Sequence, residues 1–149
     1  MSNQIGNQPA RPQGPTGAFV GASWVALLLG LSAFVVGLWN STMQLNERGY
    51  YLVVIMYGLF SAVSIQKSVR DKQDGIPVTG LYFGLCWFST IAAVAMLGIG
   101  LFNSTLQLNE KGFYVMAFAL ALFGAIAVQK NTRDVSALKA SRDNTFPAE

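Results

Sequence analysis

GLWNSTMQLNERGYY, residues 37–51, is the stretch that decides the fold, because it returns at residues 100–114 as GLFNSTLQLNEKGFY. The two copies agree at 11 of 15 positions without a gap, at a constant offset of 63 residues. The register holds onward to QKSVRD at 66–71, matched by QKNTRD at 129–134. One unit therefore occurs twice, with a polar sentence in the middle of each copy.

What flanks that sentence is nearly pure hydrocarbon. No charged side chain occurs from 12 to 46, 49 to 66, 75 to 109 or 112 to 129. Hydrophobic residues make up 52% of the 149 and charged residues only 11%, against the roughly 25% charge usual for soluble domains. A hydrocarbon core of about 30 Å needs ~20 apolar residues at 1.5 Å each. Residues 18–39 and 80–102 meet that requirement, and the second and fourth runs suffice for a thin bilayer or a helix with little tilt. A soluble bundle would carry a polar stripe at helical spacing, and LLLGLSAFVVGLW at 27–39 has only Ser32 to offer. The expected fold is an all-α integral membrane protein, with four transmembrane helices formed by two tandem parallel-repeat helical hairpins. Because each repeat has an even number of spans, both enter the bilayer in the same sense, related by a pseudo-twofold axis along its normal.

The expected organisation is a disordered N-terminal tail at 1–17, a first two-helix repeat at 18–71 and a cytoplasmic linker at 72–79. A second repeat follows at 80–134, then a C-terminal tail at 135–149 that becomes mobile after about one more helical turn. Lys and Arg near the span ends set the orientation. Arg11, Lys67, Arg70, Lys72, Lys130, Arg133, Lys139 and Arg142 share one side, whereas the repeated linkers hold only Arg48 and Lys111. Both termini of this multi-pass protein are therefore expected in the cytoplasm.

Within each linker, Asn46 and Asn109 precede a glutamate and a helix, which predicts them as N-caps with Glu47 and Glu110 at the positive end of the dipole. Gly49 and Gly112 fall in the first turn, where close backbone approach is possible. Tyr50, Tyr51, Phe113 and Tyr114, with Trp39 and Phe102, predict an aromatic belt at the outer interface. At the other end, Lys67 with Arg70 and Lys130 with Arg133 predict contacts to anionic headgroups. Small residues four apart (Ala33 and Gly37, Gly58 and Ala62, Gly80 and Gly84, Ala121 and Ala125) predict close helix packing within the bundle rather than a dimer face.

Two helices joined by GLWNSTMQLNERGYY and closing on QKSVRD, then the same again with GLFNSTLQLNEKGFY and QKNTRD, resemble the YiaA/YiaB family of bacterial inner membrane proteins. The resemblance covers roughly residues 18–134. It implies an inner membrane location and a two-helix unit, and it brings no catalytic residue or ligand with it.

Chemistry inside the bilayer needs polar groups at depth, and the spans hold only hydroxyls such as Ser32, Ser61, Ser64, Ser89 and Thr90. Histidine is absent and Cys86 is the lone cysteine. The sequence predicts no enzyme, no cofactor and no metal. The basic residues, interrupted by Asp71, Asp74, Asp134 and Asp143, predict no nucleic-acid partner. Expected partners are membrane lipids, another copy of the chain or another inner membrane protein, in an envelope or stress role. The candidate outer-face interaction site comprises Asn40, Gln44, Asn46, Glu47, Gly49, Asn103, Gln107, Asn109, Glu110 and Gly112. The second reading is a small channel or carrier for a neutral or weakly polar solute, along a hydroxyl path through Ser61, Ser64 and Ser89 between the repeats.

Overall fold

A computed structural model describes residues 13–145. Its helices run α1 (Gly17–Asn40), α2 (Leu45–Gln73), α3 (Gly80–Asn103) and α4 (Leu108–Thr145), each long and apolar enough to cross a membrane. The helix boundaries follow from local chemistry. Thr16 and Thr79, 63 residues apart, cap α1 and α3 by accepting from the backbone N–H of Phe19 and Tyr82. α2 stops at a Schellman turn: Gly75 takes φ 74°, and Ile76 N–H returns to the Asp71 carbonyl at 2.8 Å. Only a residue without Cβ adopts that φ freely, which is why the connection opens on Asp74-Gly75.

Two terminal expectations are corrected. The N-terminal tail was expected to be disordered to residue 17, yet Thr16 is a cap and the Leu138 side chain closes over Gly14; residues 1–12 lie outside the described residues. The C-terminal tail continues α4 as helix to Thr145, because 135–144 contains neither glycine nor proline to stop it. Residues 146–149 lie outside the described residues.

The larger surprise is which helices pack together. α1 lies along α4 and α2 along α3, α2 and α4 meet at the centre, and α1 scarcely touches the α2 to which it is joined. The hairpin is thus a unit of sequence but not of packing, and its two legs are splayed to hold opposite partners. Gly30 and Gly124 explain why α1 and α4 lie so close. A Cβ on Gly30 would stand 2.5 Å from the Ala121 nitrogen, and one on Gly124 would stand 2.5 Å from the Leu27 nitrogen. At the equivalent places α2 and α3 carry Ser61 and Ala93, both buried. Small residues therefore pack the bundle at Gly30, Gly124 and Ala121, as helix association in lipid requires. Gly80 and Gly84, expected to do the same, have nothing among the described residues within 4 Å of where a Cβ would stand.

The centre is filled by Phe34, Val54, Ile55, Leu97, Phe118 and Ala121. Tyr51 and Tyr114 close it at the linker end, stacked with centroids 6.1 Å apart and planes 13° apart. The predicted aromatic belt is corrected accordingly: those two tyrosines are core residues, only 3% and 4% exposed, whereas Trp39 and Phe102 face outward. Buried polar pairs follow the same crossed partnership. Asn131 donates to the Ser23 hydroxyl at 3.0 Å between α4 and α1, and Ser68 meets Cys86 at 3.5 Å between α2 and α3.

Candidate functional site

At the linker end each polar sentence ends one helix and starts the next. Ser41 and Ser104 turn the chain by donating from their hydroxyls to the Leu38 and Leu101 carbonyls at 2.7 Å. The caps are corrected from Asn46 and Asn109 to Gln44 and Gln107. Glu47 reaches back to accept from the Gln44 backbone N–H at 2.9 Å, and Glu110 from that of Gln107 at 2.8 Å. Here the glutamate three residues into the helix makes the return half of a capping box without a serine or threonine at the cap, so Q-L-N-E was the usable signal. Asn46 and Asn109 sit inside the first turn, exposed, with their side chains free to face outward.

Splaying then brings the linkers together in crossed halves. A recess of about 350 Å³ is lined by Gly37, Asn40 and Ser41 from the end of α1 and by Asn109, Glu110, Phe113 and Tyr114 from the start of α4. Its counterpart, about 380 Å³, is lined by Gly100, Asn103 and Ser104 from α3 and by Asn46, Glu47, Tyr50 and Tyr51 from α2. The two linings correspond residue for residue at the 63-residue offset, with only Tyr50 replaced by Phe113. Glycine is needed in each floor, since a Cβ on Gly37 would stand 2.8 Å from the Phe113 ring and one on Gly100 2.6 Å from that of Tyr50. Tyr50 is held there by donating to the Met96 carbonyl of α3 at 2.6 Å.

Of the residues expected at this face, Asn40, Asn109 and Glu110 meet in one recess, and Asn103, Asn46 and Glu47 in the other. The two carboxylates do not share a site. Gln44 and Gln107 serve the caps, and Gly49 and Gly112 have nothing among the described residues within 4 Å of where a Cβ would stand. Sequence reasoning missed Gly37, Ser41, Phe113 and Tyr114 as lining of one recess and their counterparts Gly100, Ser104, Tyr50 and Tyr51 of the other, although all lie within the repeated sentence.

Arg48 has a separate place. Its Nε donates to the Met43 carbonyl at 3.0 Å and its Nη2 to the Ser41 carbonyl at 2.6 Å. Its side chain also lines a crevice of about 350 Å³ between the splayed legs, otherwise walled by Val35, Leu38, Trp39, Leu45, Gly49 and Leu52.

The basic end is arranged oppositely, with its charges matched inside the chain. Arg70 of α2 donates to Asp134 of α4 at 2.7 Å, and Arg133 of α4 donates to Asp71 of α2 at 2.7 Å. Lys67 and Lys130 complete the group on Asp71 and Asp134 one turn away. These residues lie beyond the apolar runs that end at Gln66 and Gln129. The Lys67 and Arg133 partners hold the Asp71 carboxyl below the usual carboxylate range, and Lys130 and Arg70 do the same for Asp134. Lys67 and Lys130 are each more than half exposed beside their aspartates, so a headgroup can reach them, while Arg70 and Arg133 clamp the central helices.

The hydroxyls of the channel reading line no central path. Ser61, Ser64 and Ser89 border a recess of about 100 Å³ between α2 and α3, and Ser61 donates to the Gly58 carbonyl of its own helix.

The yiaA/B two helix domain family matches the chain twice, at residues 19–71 and 82–134. The chain is 57% identical over 117 residues, 78% of its own length and 81% of the other's, to the inner membrane protein YiaA of Escherichia coli strain K12. Inner membrane protein YiaB of the same organism is 27% identical over 97 residues, 65% of this chain and 82% of that protein. The uncharacterized membrane protein YubF of Bacillus subtilis strain 168 is 47% identical over 51 residues, 34% of this chain and 59% of that protein. No solved structure matches.

Proposed function

This chain belongs to the yiaA/B two helix domain family, and from that premise we propose that it is a non-enzymatic inner membrane protein whose working surface is the linker end, where it engages a lipid or a membrane partner. The observation that carries this reading is the crossed construction of the twin recesses. Each linker must supply the exit half of one recess and the entry half of the other, so both copies are held to the same residues. A turn alone asks only for the serine and the capping glutamate. Among the other shared residues, Asn40 and Asn103 donate to the Val36 and Ile99 carbonyls of their own helices, and they line the recesses together with Asn109 and Asn46.

Orientation belongs to the same proposal. The excess of Lys and Arg at the other end supports a topology with both termini in the cytoplasm and the linker end on the far side. The filled centre gives no support to a channel or carrier. The test is photo-crosslinking in intact membranes from position 40 or 103. A discrete adduct is expected there and not from Phe88, an exposed residue on α3. Uniform labelling from all three positions, or none, refutes the reading.

A further inference from the structure

The crevice and the recess beside it have complementary unmatched charges, and Arg48 joins them. Its stem lines the apolar crevice between α1 and α2, and its guanidinium reaches the carbonyl of Ser41, a residue that walls the recess holding Glu110. Among the described residues neither Arg48 nor Glu110 forms an ion pair, in contrast to the matched charges at the basic end. Two bonds to linker carbonyls use two of the five guanidinium N–H donors and hold the group in place, leaving three for a ligand. Glu110 uses one carboxylate oxygen on its cap and keeps the other.

The crevice is itself a consequence of the fold. α1 and α2 are joined by a short turn but turn their packed faces to α4 and α3, so the gap between them stays unfilled by protein. Gly49 lines it, with nothing within 4 Å of where its Cβ would stand, and Trp39 and Leu45 at its rim are 80% and 85% exposed. A tryptophan and an arginine at the end of an apolar slot are the residue types that settle at the level of lipid headgroups.

We propose that crevice and recess form one site for a zwitterionic amino-phospholipid of the leaflet at the linker end. An acyl chain lies in the crevice along Leu38, Leu45 and Leu52, the phosphate takes the free donors of Arg48, and the primary ammonium donates to Glu110. Arg–phosphate pairing is charge-assisted and directional. The adjacent carboxylate then selects the headgroup: an ammonium satisfies it, whereas the uncharged glycerol of an anionic phospholipid leaves it unmatched. This rests on the linker end being the working surface, and it names what that surface holds.

The test is purification of the full chain in mild detergent, followed by native mass spectrometry with equimolar phosphatidylethanolamine and phosphatidylglycerol. Three variants accompany the wild type. Glu110→Gln keeps the cap, because the amide oxygen still accepts from Gln107. Arg48→Gln removes the phosphate donor, and Gly49→Leu fills the crevice where nothing else is displaced. The wild type is expected to retain phosphatidylethanolamine at least about fivefold over phosphatidylglycerol. Glu110→Gln brings the two lipids to parity, while Arg48→Gln and Gly49→Leu lose most of both, with melting temperatures unchanged for Glu110→Gln and Gly49→Leu. Equal retention of both lipids by the wild type, no retention, or a preference that survives Glu110→Gln overturns the site. Any of those results beside a discrete crosslink from positions 40 and 103 would remove the lipid and leave the linker-end reading standing.

Discussion

The glycine contacts between α1 and α4 carry the sharpest prediction, because they bear on the crossed pairing of helices from which both recesses follow. Replacing Gly30 with alanine sets a methyl 2.5 Å from the Ala121 nitrogen and 2.9 Å from the Ala117 carbonyl oxygen, against ordinary contacts of 3.4–4 Å. Both neighbours are backbone, so no side chain can rotate away, and α1 must move outward by about an ångström. Overpacking of this kind costs ~1–3 kcal/mol. Alanine also raises helix propensity over glycine, so the control is Gly84→Ala, which gains the same propensity and meets nothing within 4 Å. Propensity cancels in the comparison, and Gly30→Ala should be less stable than Gly84→Ala by ~1–3 kcal/mol in a reversible detergent-denaturant titration followed by tryptophan fluorescence. Gly124→Ala should behave like Gly30→Ala. The double variant should cost less than the sum, since one outward shift of α1 relieves both contacts. Equal stability of Gly30→Ala and Gly84→Ala, or strict additivity of the pair, would refute the packing and with it the pairing of α1 with α4.

Other consequences are open to direct measurement. Ser68→Cys alone should oxidise to an intramolecular disulfide with Cys86, whose sulfur lies 3.5 Å from the serine oxygen, whereas Ser23→Cys in a Cys86→Ser background should need Asn131→Cys to do so. A thiol gel shift reads both, and failure of the first would place α2 elsewhere than against α3. The basic-end ion pairs involve carboxyls held below their ordinary values, so their contribution is complete above an unfolded aspartate pKa of about 3.9 and is lost as pH falls through the lower folded values. Thermal midpoints of the wild type relative to Asp71→Asn/Asp134→Asn should therefore converge only below about pH 4; convergence already at pH 6 would argue that the pairs contribute nothing. A reporter fused after Glu149 should read cytoplasmic and one inserted at Thr42 external, and the reverse would overturn the charge count.

The repeat, the four spans and the position of the polar turns were legible because each rests on local pattern. Lack of charge over about 20 residues, a glutamate placed to cap, and a 63-residue offset can all be read without knowing what touches what. The cap was misplaced by two residues because asparagine outranks glutamine as a cap in general, whereas here the return bond from Glu47 sets the boundary. The end of α4 is not legible in the same way, because a charged, polar 135–144 reads as a mobile tail although it contains neither glycine nor proline to stop a helix.

Sequence by itself determined the class of the protein: two copies of one helix-turn-helix in a bilayer, with polar chemistry confined to the ends. Those features depend on transfer of each residue between water and hydrocarbon, a property of short windows of chain. Only the tertiary structure decided that the legs of each hairpin part company, that α1 rests on α4 through Gly30 and Gly124, and that each recess is assembled from both linkers. Helix pairing in lipid turns on shape at close range, where one methyl at Gly30, rather than overall hydrophobicity, decides which surfaces can meet. The aromatic sentence illustrates the division: Tyr51 and Trp39 read alike as interfacial residues, and packing made one the closed end of the core and the other the rim of a crevice.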